Sequence, residues 1–213
     1  AAVYNLTAYN SDVFINKIGE STKTLNLTSL FLEGLYAGSG TMNQAFDETG
    51  NPHWPAGVAD HITVELHNAA SYGTIAHSAD VALSTTGTAT VTVPATKNGS
   101  YYITIKHRNS LTTVSASALS FSGNTISHSF GTPSGVFGGN LLLMADMGYA
   151  IYGGDVNQDN IVDGGDMSVI ENLTNNAATG YLPEDCNGDG IIDGSDMSLV
   201  ENDTNLAAGA QTP

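Results

Sequence analysis

Asp155-Val156-Asn157-Gln158-Asp159-Asn160-Ile161-Val162-Asp163-Gly164-Gly165-Asp166 and, 30 residues on, Asp185-Cys186-Asn187-Gly188-Asp189-Gly190-Ile191-Ile192-Asp193-Gly194-Ser195-Asp196 are two near-copies of one acidic loop. Over the 21 residues that start at Asp155 and at Asp185, 13 positions are identical. Both copies place an oxygen-bearing side chain at loop positions 1, 3, 5, 9 and 12, and both continue with Met-Ser. Asp, Asn and Gly also build ordinary turns, but a turn does not demand the same alternation twice in register.

Alternate oxygens on a tight loop suit a hard cation, and the spacing is that of an EF-hand-type calcium loop. Calcium takes about six to eight oxygens. The expected ligands are Asp155, Asn157, Asp159, Asp163 and Asp166 with the peptide carbonyl of Ile161, and Asp185, Asn187, Asp189, Asp193 and Asp196 with that of Ile191. Two calcium ions are therefore expected. At about 1 mM calcium, sites with dissociation constants of about 0.1–1 mM would each add about 0.4–1.4 kcal/mol of stability.

Charge supports a metal. Residues 1–149 hold nine acids and all five bases, whereas residues 150–213 hold twelve acids and no base. Two divalent ions would relieve the self-repulsion of that acidic end. Nucleic acid is excluded as a partner, because phosphates need clustered Lys and Arg. The single cysteine, Cys186, allows no internal disulfide. At loop position 2 it is expected to be an exposed spectator, with calcium doing the stapling that disulfides do elsewhere.

The chain starts at Ala1 without a charged n-region and apolar run, as expected of a secreted protein whose signal peptide has been removed. No stretch has the length of a membrane span. Few charges, many Thr, Ser, Gly and Asn, and little helix-forming composition imply a mainly β body.

Outward from the loops, residues 24–152 read as short strands. The expected strands are Leu25–Tyr36, His61–Asn68, Val81–Leu83, Ala89–Val93, Tyr101–Arg108, Thr113–Phe121, Thr125–Phe130 and Leu141–Met144, separated by Gly, Pro and Asn turns. Ile62, Val64 and Leu66 alternate with polar neighbours, as do Ala89, Val91 and Val93 and then Ile103 and Ile105. Half-buried antiparallel strands at this spacing argue for a sandwich. Each loop leads into a short helix with an apolar stripe, Met167, Ile170 and Leu173 in one and Met197 and Val200 in the other. Asn175-Asn176 should end the first.

Residues 1–23 form an arm. Ala2, Tyr4, Leu6 and Ala8 alternate with Val3, Asn5, Thr7 and Tyr9, a strand pattern, and Gly19-Glu20-Ser21-Thr22-Lys23 reads as a linker. Two readings stay open: a first strand of the chain's own sandwich, or a strand donated to the sheet edge of a neighbouring copy. No Lys or Pro protects the edge before Lys17.

No nucleophile elbow, zinc-protease motif or phosphate loop occurs, and no enzyme is expected. His61, Glu65 and His67 share a strand face, but His61 and His67 lie about 20 Å apart along it, so a solvated polar face is expected rather than a zinc site. Trp54, in a Pro-rich loop, reads as a plug over the end of the sandwich or as a sugar-stacking platform. Glu33 lies in an apolar run and needs a partner if buried. Sequons begin at Asn5, Asn26, Asn98, Asn172 and Asn202; in an Asn- and Thr-rich chain several arise by accident.

Two calcium loops, each followed by one helix and lacking a leading helix, resemble the dockerin family over about residues 153–206. The resemblance implies pseudo-twofold packing and a cohesin-like partner. Dockerins tend to carry Ser/Thr pairs at loop positions 10 and 11 and then Lys or Arg on the helix. Here stand Gly164-Gly165 and Gly194-Ser195, followed by Glu171-Asn172 and Glu201-Asn202, so the metal ligands are kept and the partner-reading residues are not. Thr88–Arg108, with Tyr101-Tyr102-Ile103-Thr104-Ile105-Lys106-His107, is similar to a hairpin of prealbumin-like extracellular sandwiches. Residues 25–205 as a whole are similar to C-terminal modules of secreted bacterial surface proteins, for which the ending Gln211-Thr212-Pro213 is natural.

The expectation is thus an Ig-like or prealbumin-like β-sandwich with a small C-terminal dockerin-like α module holding two calcium loops. Its parts are an arm (1–23), the sandwich (24–152), the calcium module (153–207) and a tail (208–213). The expected role is a secreted, non-enzymatic structural subunit of a bacterial cell-surface fibre or adhesin, a homopolymer of itself assembled by strand exchange. A docking module for a cohesin-like protein and a carbohydrate-binding module for a glycan are the alternatives.

Overall fold

The computed structural model describes the backbone of residues 3–9, 12–18 and 21–213 and the side chains of residues 21–213. In chain order the strands are β1 (Val3–Tyr9), β2 (Asp12–Ile18), β3 (Thr22–Thr28), β4 (Tyr36–Gly38), β5 (Thr41–Met42), β6 (Val58–Asn68), β7 (Ser71–Ser84), β8 (Ala89–Pro94), β9 (Ser100–His107), β10 (Ser110–Val114), β11 (Leu119–Ser120), β12 (Thr125–Ser129), β13 (Leu142–Leu143) and β14 (Tyr149–Ala150). Helices α1 (Gly164–Thr174) and α2 (Gly194–Asn205) follow. The chain is mainly β.

Two sheets face each other, one ordered β10-β9-β6-β7 with β11 also beside β9, the other β12-β3-β8. The alternation read in the sequence sets their inner faces. Ile62, Val64 and Leu66 of β6 and Ile103 and Ile105 of β9 join Leu25 and Leu27 of β3 and Val91 and Val93 of β8 in one core. Full burial of each such side chain is worth about 1.5–3 kcal/mol. A one-residue slip would exchange them for Thr63, Glu65 and His67, so register is strongly specified.

Several expected strands change shape. Leu25–Tyr36 is not continuous: β3 ends at Thr28, Ser29 takes a φ of 52°, and Glu33–Leu35 is a 3-10 turn. Leu30, Leu32 and Leu35 are all buried, which straight alternation cannot achieve. Thr22 and Lys23 belong to β3 rather than to a linker, and buried Lys23 donates to Asn98 Oδ1 and to the Phe121 carbonyl. Val81–Leu83 is the end of the long β7, whose Ser, Gly and Ala carry little strand propensity but pair along β6. Thr113–Phe121 is broken where Ser115 Oγ accepts from Ile103 N. β8 and β9, expected as a hairpin, lie in different sheets, so Pro94–Gly99 crosses the sandwich.

The arm's backbone forms an antiparallel hairpin, β1 on β2, from Val3↔Ile18 to Tyr9↔Asp12. Among the described residues this pair shares no ladder with another strand. The arm is thus a separate hairpin rather than the first strand of the chain's own sandwich.

Residues 153–210 form a second, smaller core. Asp163 and Asp193 cap α1 and α2, accepting from Gly165 N and Ser195 N, while Asp166 and Asp196 reach back to the cap N–H, a capping box at each helix. Ile170 and Val200 pack with Val162, Ile192 and Cys186, and Leu111 of β10 enters from the sandwich. α1 ends at Thr174 with Asn175 as its cap, close to the expected stop.

The two halves pair reciprocally. Val162 N donates to Ala208 O at 3.0 Å and Ile192 N to Ala178 O at 3.1 Å, with bridges Ile161↔Gly209 and Thr179↔Ile191. Each loop thus pairs with the segment after the other loop's helix, at the same 30-residue offset. The segment read as a tail from residue 208 begins inside this core, where Ala208 is buried.

Candidate metal centre

The first and last Asp of each loop are inside the protein. Asp155 is 1% exposed, and Asp166, Asp185 and Asp196 are 0% exposed. Asp166 Oδ1 accepts from Val156 N and Asn157 N, and its Oδ2 accepts from Asp163 N at 3.0 Å. Asp196 repeats the pattern with Asn187 N and Asp193 N. Asp155 Oδ2 and Asp185 Oδ2 accept from Asn160 N and Gly190 N, both at 3.2 Å. Between them, Asn157 and Asn187 accept from the N–H of Asp159 and Asp189, which accept from Ile161 N and Ile191 N. These short-range bonds curl the loop and leave each carboxylate with unused lone pairs.

Asp155 Oδ1 and Asp185 Oδ1, at loop position 1, are buried without any hydrogen-bond partner. Burial, then the Asp166 charge, pushes the Asp155 carboxyl up to about 6. Burial likewise pushes Asp185 up to about 6, against the opposing charge of Arg108, and raises Asp166 and Asp196. Buried carboxylates short of counter-charge are costly; Arg108 Nη2, 3.8 Å from Asp185 Oδ2, answers part of the second loop's charge, and a divalent cation in each loop would supply the rest. The residues fit such an ion: acids at positions 1, 5, 9 and 12, an amide at 3, and a carbonyl at 7 whose side chains, Ile161 and Ile191, point to solvent. Among the described residues, no three His, Cys, Asp or Glu side chains converge as a ready-made cage. The four aspartates of each loop are thus not drawn onto one point, and an ion would have to gather them together with the position-3 amide and the position-7 carbonyl.

The sandwich grips the second loop. Arg108 Nη1 donates to the carbonyls of Leu182 and, at 2.7 Å, Asp185, and Asn109 Nδ2 donates to those of Pro183 and Asp185 at 2.9 Å. Phe46 N donates to Gly188 O at 2.9 Å. Cys186 is buried, contrary to the exposed spectator expected, because the side chain at loop position 2 packs into the smaller core, as Val156 does in the first loop; its carbonyl abuts the sandwich, 1.8 Å from where a Cβ on Gly34 would lie.

Behind this contact lies a polar hub. Asp60 is fully buried and accepts from Trp54 Nε1, His61 N, His107 Nε2 and Arg108 Nε at 2.7–3.2 Å, and from Tyr181 OH. Burial alone would raise its carboxyl; the His107 hydrogen bond and the His107 and Arg108 charges outweigh that and hold it well below the usual carboxylate range. Trp54 is therefore a lid on Asp60, stacked on His61 at 3.9 Å. Ser110 Oγ lies 2.9 Å from His107 Nδ1, completing a Ser–His–Asp line, but all three residues are buried, so Ser110 Oγ offers no surface to a substrate carbonyl. Nothing in residue spacing announces this hub.

Glu33 finds two partners the sequence does not reveal. Its Oε2 accepts from Gly153 N at 2.8 Å, and the carboxyl of buried Asp203 on α2 is its acidic neighbour. Burial, then the neighbouring Glu33 carboxyl, pushes Asp203 up to about 9, and both Asp203 oxygens are buried without a hydrogen-bond partner. The face of His61, Glu65 and His67 is also not the open one expected. Glu65 and His67 are buried, with His67 Nε2 and Lys106 Nζ at 2.9 and 3.3 Å from Glu65 Oε2. No helix among the described residues is long and apolar enough to cross a membrane.

No family model and no curated protein matches the chain. Among solved structures it is similar to chains of two interface mutants of a type II cohesin–X–dockerin complex from Acetivibrio cellulolyticus. The C-terminal interface mutant overlaps at 16% identity and TM-score 0.48, and the N-terminal one at 19% and 0.45, each over 85% of this chain and 94% of that one. The S.CueP crystal structure overlaps 58% of this chain and 71% of its own at 8% identity and TM-score 0.29.

Proposed function

We propose that this chain is a non-catalytic, extracellular structural subunit in which two calcium ions lock the paired loop-helix module onto the β-sandwich. The observation that carries the reading is the orphaned, buried Oδ1 at position 1 of both loops. Calcium would supply the positive charge that Asp155 lacks and that Arg108, 3.8 Å from Asp185, supplies only in part. The rest is done by the chain: Asp166 and Asp196 tie loop to helix, and Arg108 and Asn109 tie the second loop to the sandwich.

Calorimetric titration of the purified chain tests this. Two equivalents of calcium are expected to bind, and Asp159→Ala with Asp189→Ala, both at exposed positions, should abolish uptake. Unchanged uptake in the double variant would sink the assignment.

Assembly at a bacterial cell surface is part of the same proposal. The hairpin β1–β2 has unpaired outer edges among the described residues, the kind of template that pairs with another chain. Electron microscopy with calcium should show polymers that vanish when residues 1–18 are removed. Monomers in both samples would exclude a fibre and leave a calcium-stabilised docking unit.

A further inference from the structure

Loop positions 4 and 6 adopt left-handed backbone in both copies, with φ of 59° at Gln158, 71° at Asn160, 75° at Gly188 and 81° at Gly190. In the second loop a side chain has no room. A Cβ on Gly188 would lie 2.3 Å from Leu35 Cδ2, and one on Gly190 would lie 2.5 Å from the Asp47 carbonyl. In the first loop the same positions are exposed. Glycine would suit that backbone best, yet two amide side chains stand there, and Gln158 holds a conformation that non-glycine residues seldom adopt.

Both amides line a groove. Two hollows of about 440 and 360 Å³ share Lys106 and Gln158, and Asn160 lines the second. Their floor is the outer face of β7-β6-β9, where Thr63 stands opposite both Asp80 and Lys106, and Glu65 opposite Thr104. An aromatic pair closes each end: Trp54 on His61, and Tyr72 on His67 at 4.4 Å. His61 and His67 are about 20 Å apart along the strand, and the volumes fall in the range of small-molecule sites.

The lining narrows the ligand. Lys106 is 3.3 Å from Glu65 and Arg108 is 3.2 Å from Asp60, so the cations are already neutralised, and a chain of net charge −16 repels polyanions. Hydroxyls, amides and imidazoles offer no apolar stripe to a lipid. A peptide strand would add to a sheet edge, whereas this groove lies on a sheet face. We propose that the groove binds a neutral oligosaccharide, with Asp80, Lys106, Gln158 and Asn160 hydrogen-bonding its hydroxyls and the aromatic pairs flanking it.

Calorimetry of the full chain in calcium, against short neutral glucose-, xylose-, mannose- and N-acetylglucosamine-based oligosaccharides, tests this. At least one type should bind. Gln158→Gly with Asn160→Gly should weaken it about tenfold, the loss of one or two hydrogen bonds. Calcium uptake should persist, because neither side chain stands at a ligand position, and in the melting temperature the relief of left-handed backbone should offset the lost bond from Gln158 Nε2 to the Asp155 carbonyl, 2.5 Å. Asp80→Ala, on β7 away from the loop, should weaken binding as well. No binding by any of these sugars, binding indifferent to both changes, or a preference for uronate oligosaccharides or peptides would overturn the assignment.

Discussion

Arg108 donates its Nη1 to the backbone carbonyl of Asp185 at 2.7 Å, so the chain's single arginine closes on the first residue of the second acidic loop. The same guanidinium donates Nε to Asp60 and lies over the Tyr181 ring, 4.6 Å from its centroid. One side chain thus joins the buried acid of the sandwich to the backbone of the loop, beside the ties made by Asn109 and Phe46.

Arg108→Ala should therefore cost about 3 kcal/mol, the range for stripping one partner from a buried ion pair, and Arg108→Lys should recover little because a single ammonium cannot serve both directions. Urea unfolding followed by tryptophan fluorescence measures it, since Trp54 sits on Asp60. A loss below about 1 kcal/mol, the worth of an exposed pair, would show that the clamp does not hold the cores together.

The closeness of that contact predicts an asymmetry between glycines. Gly34→Ala places a methyl against the Cys186 carbonyl, where backbone must move, and should cost about 1–3 kcal/mol. Gly194→Ala, at the start of α2 with open space around it, should be neutral or slightly stabilising. Thermal melts of the two variants side by side decide this.

Asp203 gives a pH dependence with a definite sign. Its folded carboxyl sits at about 9 against an ordinary 3.8, so the folded state binds a proton the unfolded state releases. Stability from this site is full below about pH 4 and is lost as pH rises toward 9. Asp203→Asn needs no proton and should flatten that slope, gaining on the native chain at pH 8 and losing the advantage near pH 4. Denaturation of both chains at matched calcium across the range measures the difference; parallel curves would refute the raised Asp203 carboxyl.

Cys186 should resist alkylation in the folded protein. It is 3% exposed, and burial pushes its thiol well above its ordinary value, so little thiolate forms and none is accessible. Labelling followed by mass spectrometry should show protection that disappears in denaturant. Rapid labelling of the native chain would mean that the second loop leaves the sandwich.

Much of the architecture is visible in local pattern. Period-2 alternation at Ile62, Val64 and Leu66 and at Ile103 and Ile105 identifies the inner faces, because strand side chains alternate whatever lies opposite. The acidic loops are equally legible, since their internal hydrogen bonds connect residues at most ten apart. Which sheet a strand joins is a different kind of fact. β8 and β9 read as a hairpin and belong to opposite sheets, and β7 hides in weak strand formers because its order comes from pairing with β6.

By itself, then, the sequence determined the two loops, the capped helices behind them and the inward faces of the sandwich, all consequences of short-range spacing. Tertiary structure alone decided that Cys186 turns inward, that Glu33 shares its burial with Asp203, that five donors converge on Asp60, and that the second loop requires glycines where the first displays Gln158 and Asn160. The physical reason is the same in each case. These contacts join residues distant in sequence, and the energy of a buried charge or a missing Cβ depends on which surface folding brings against it.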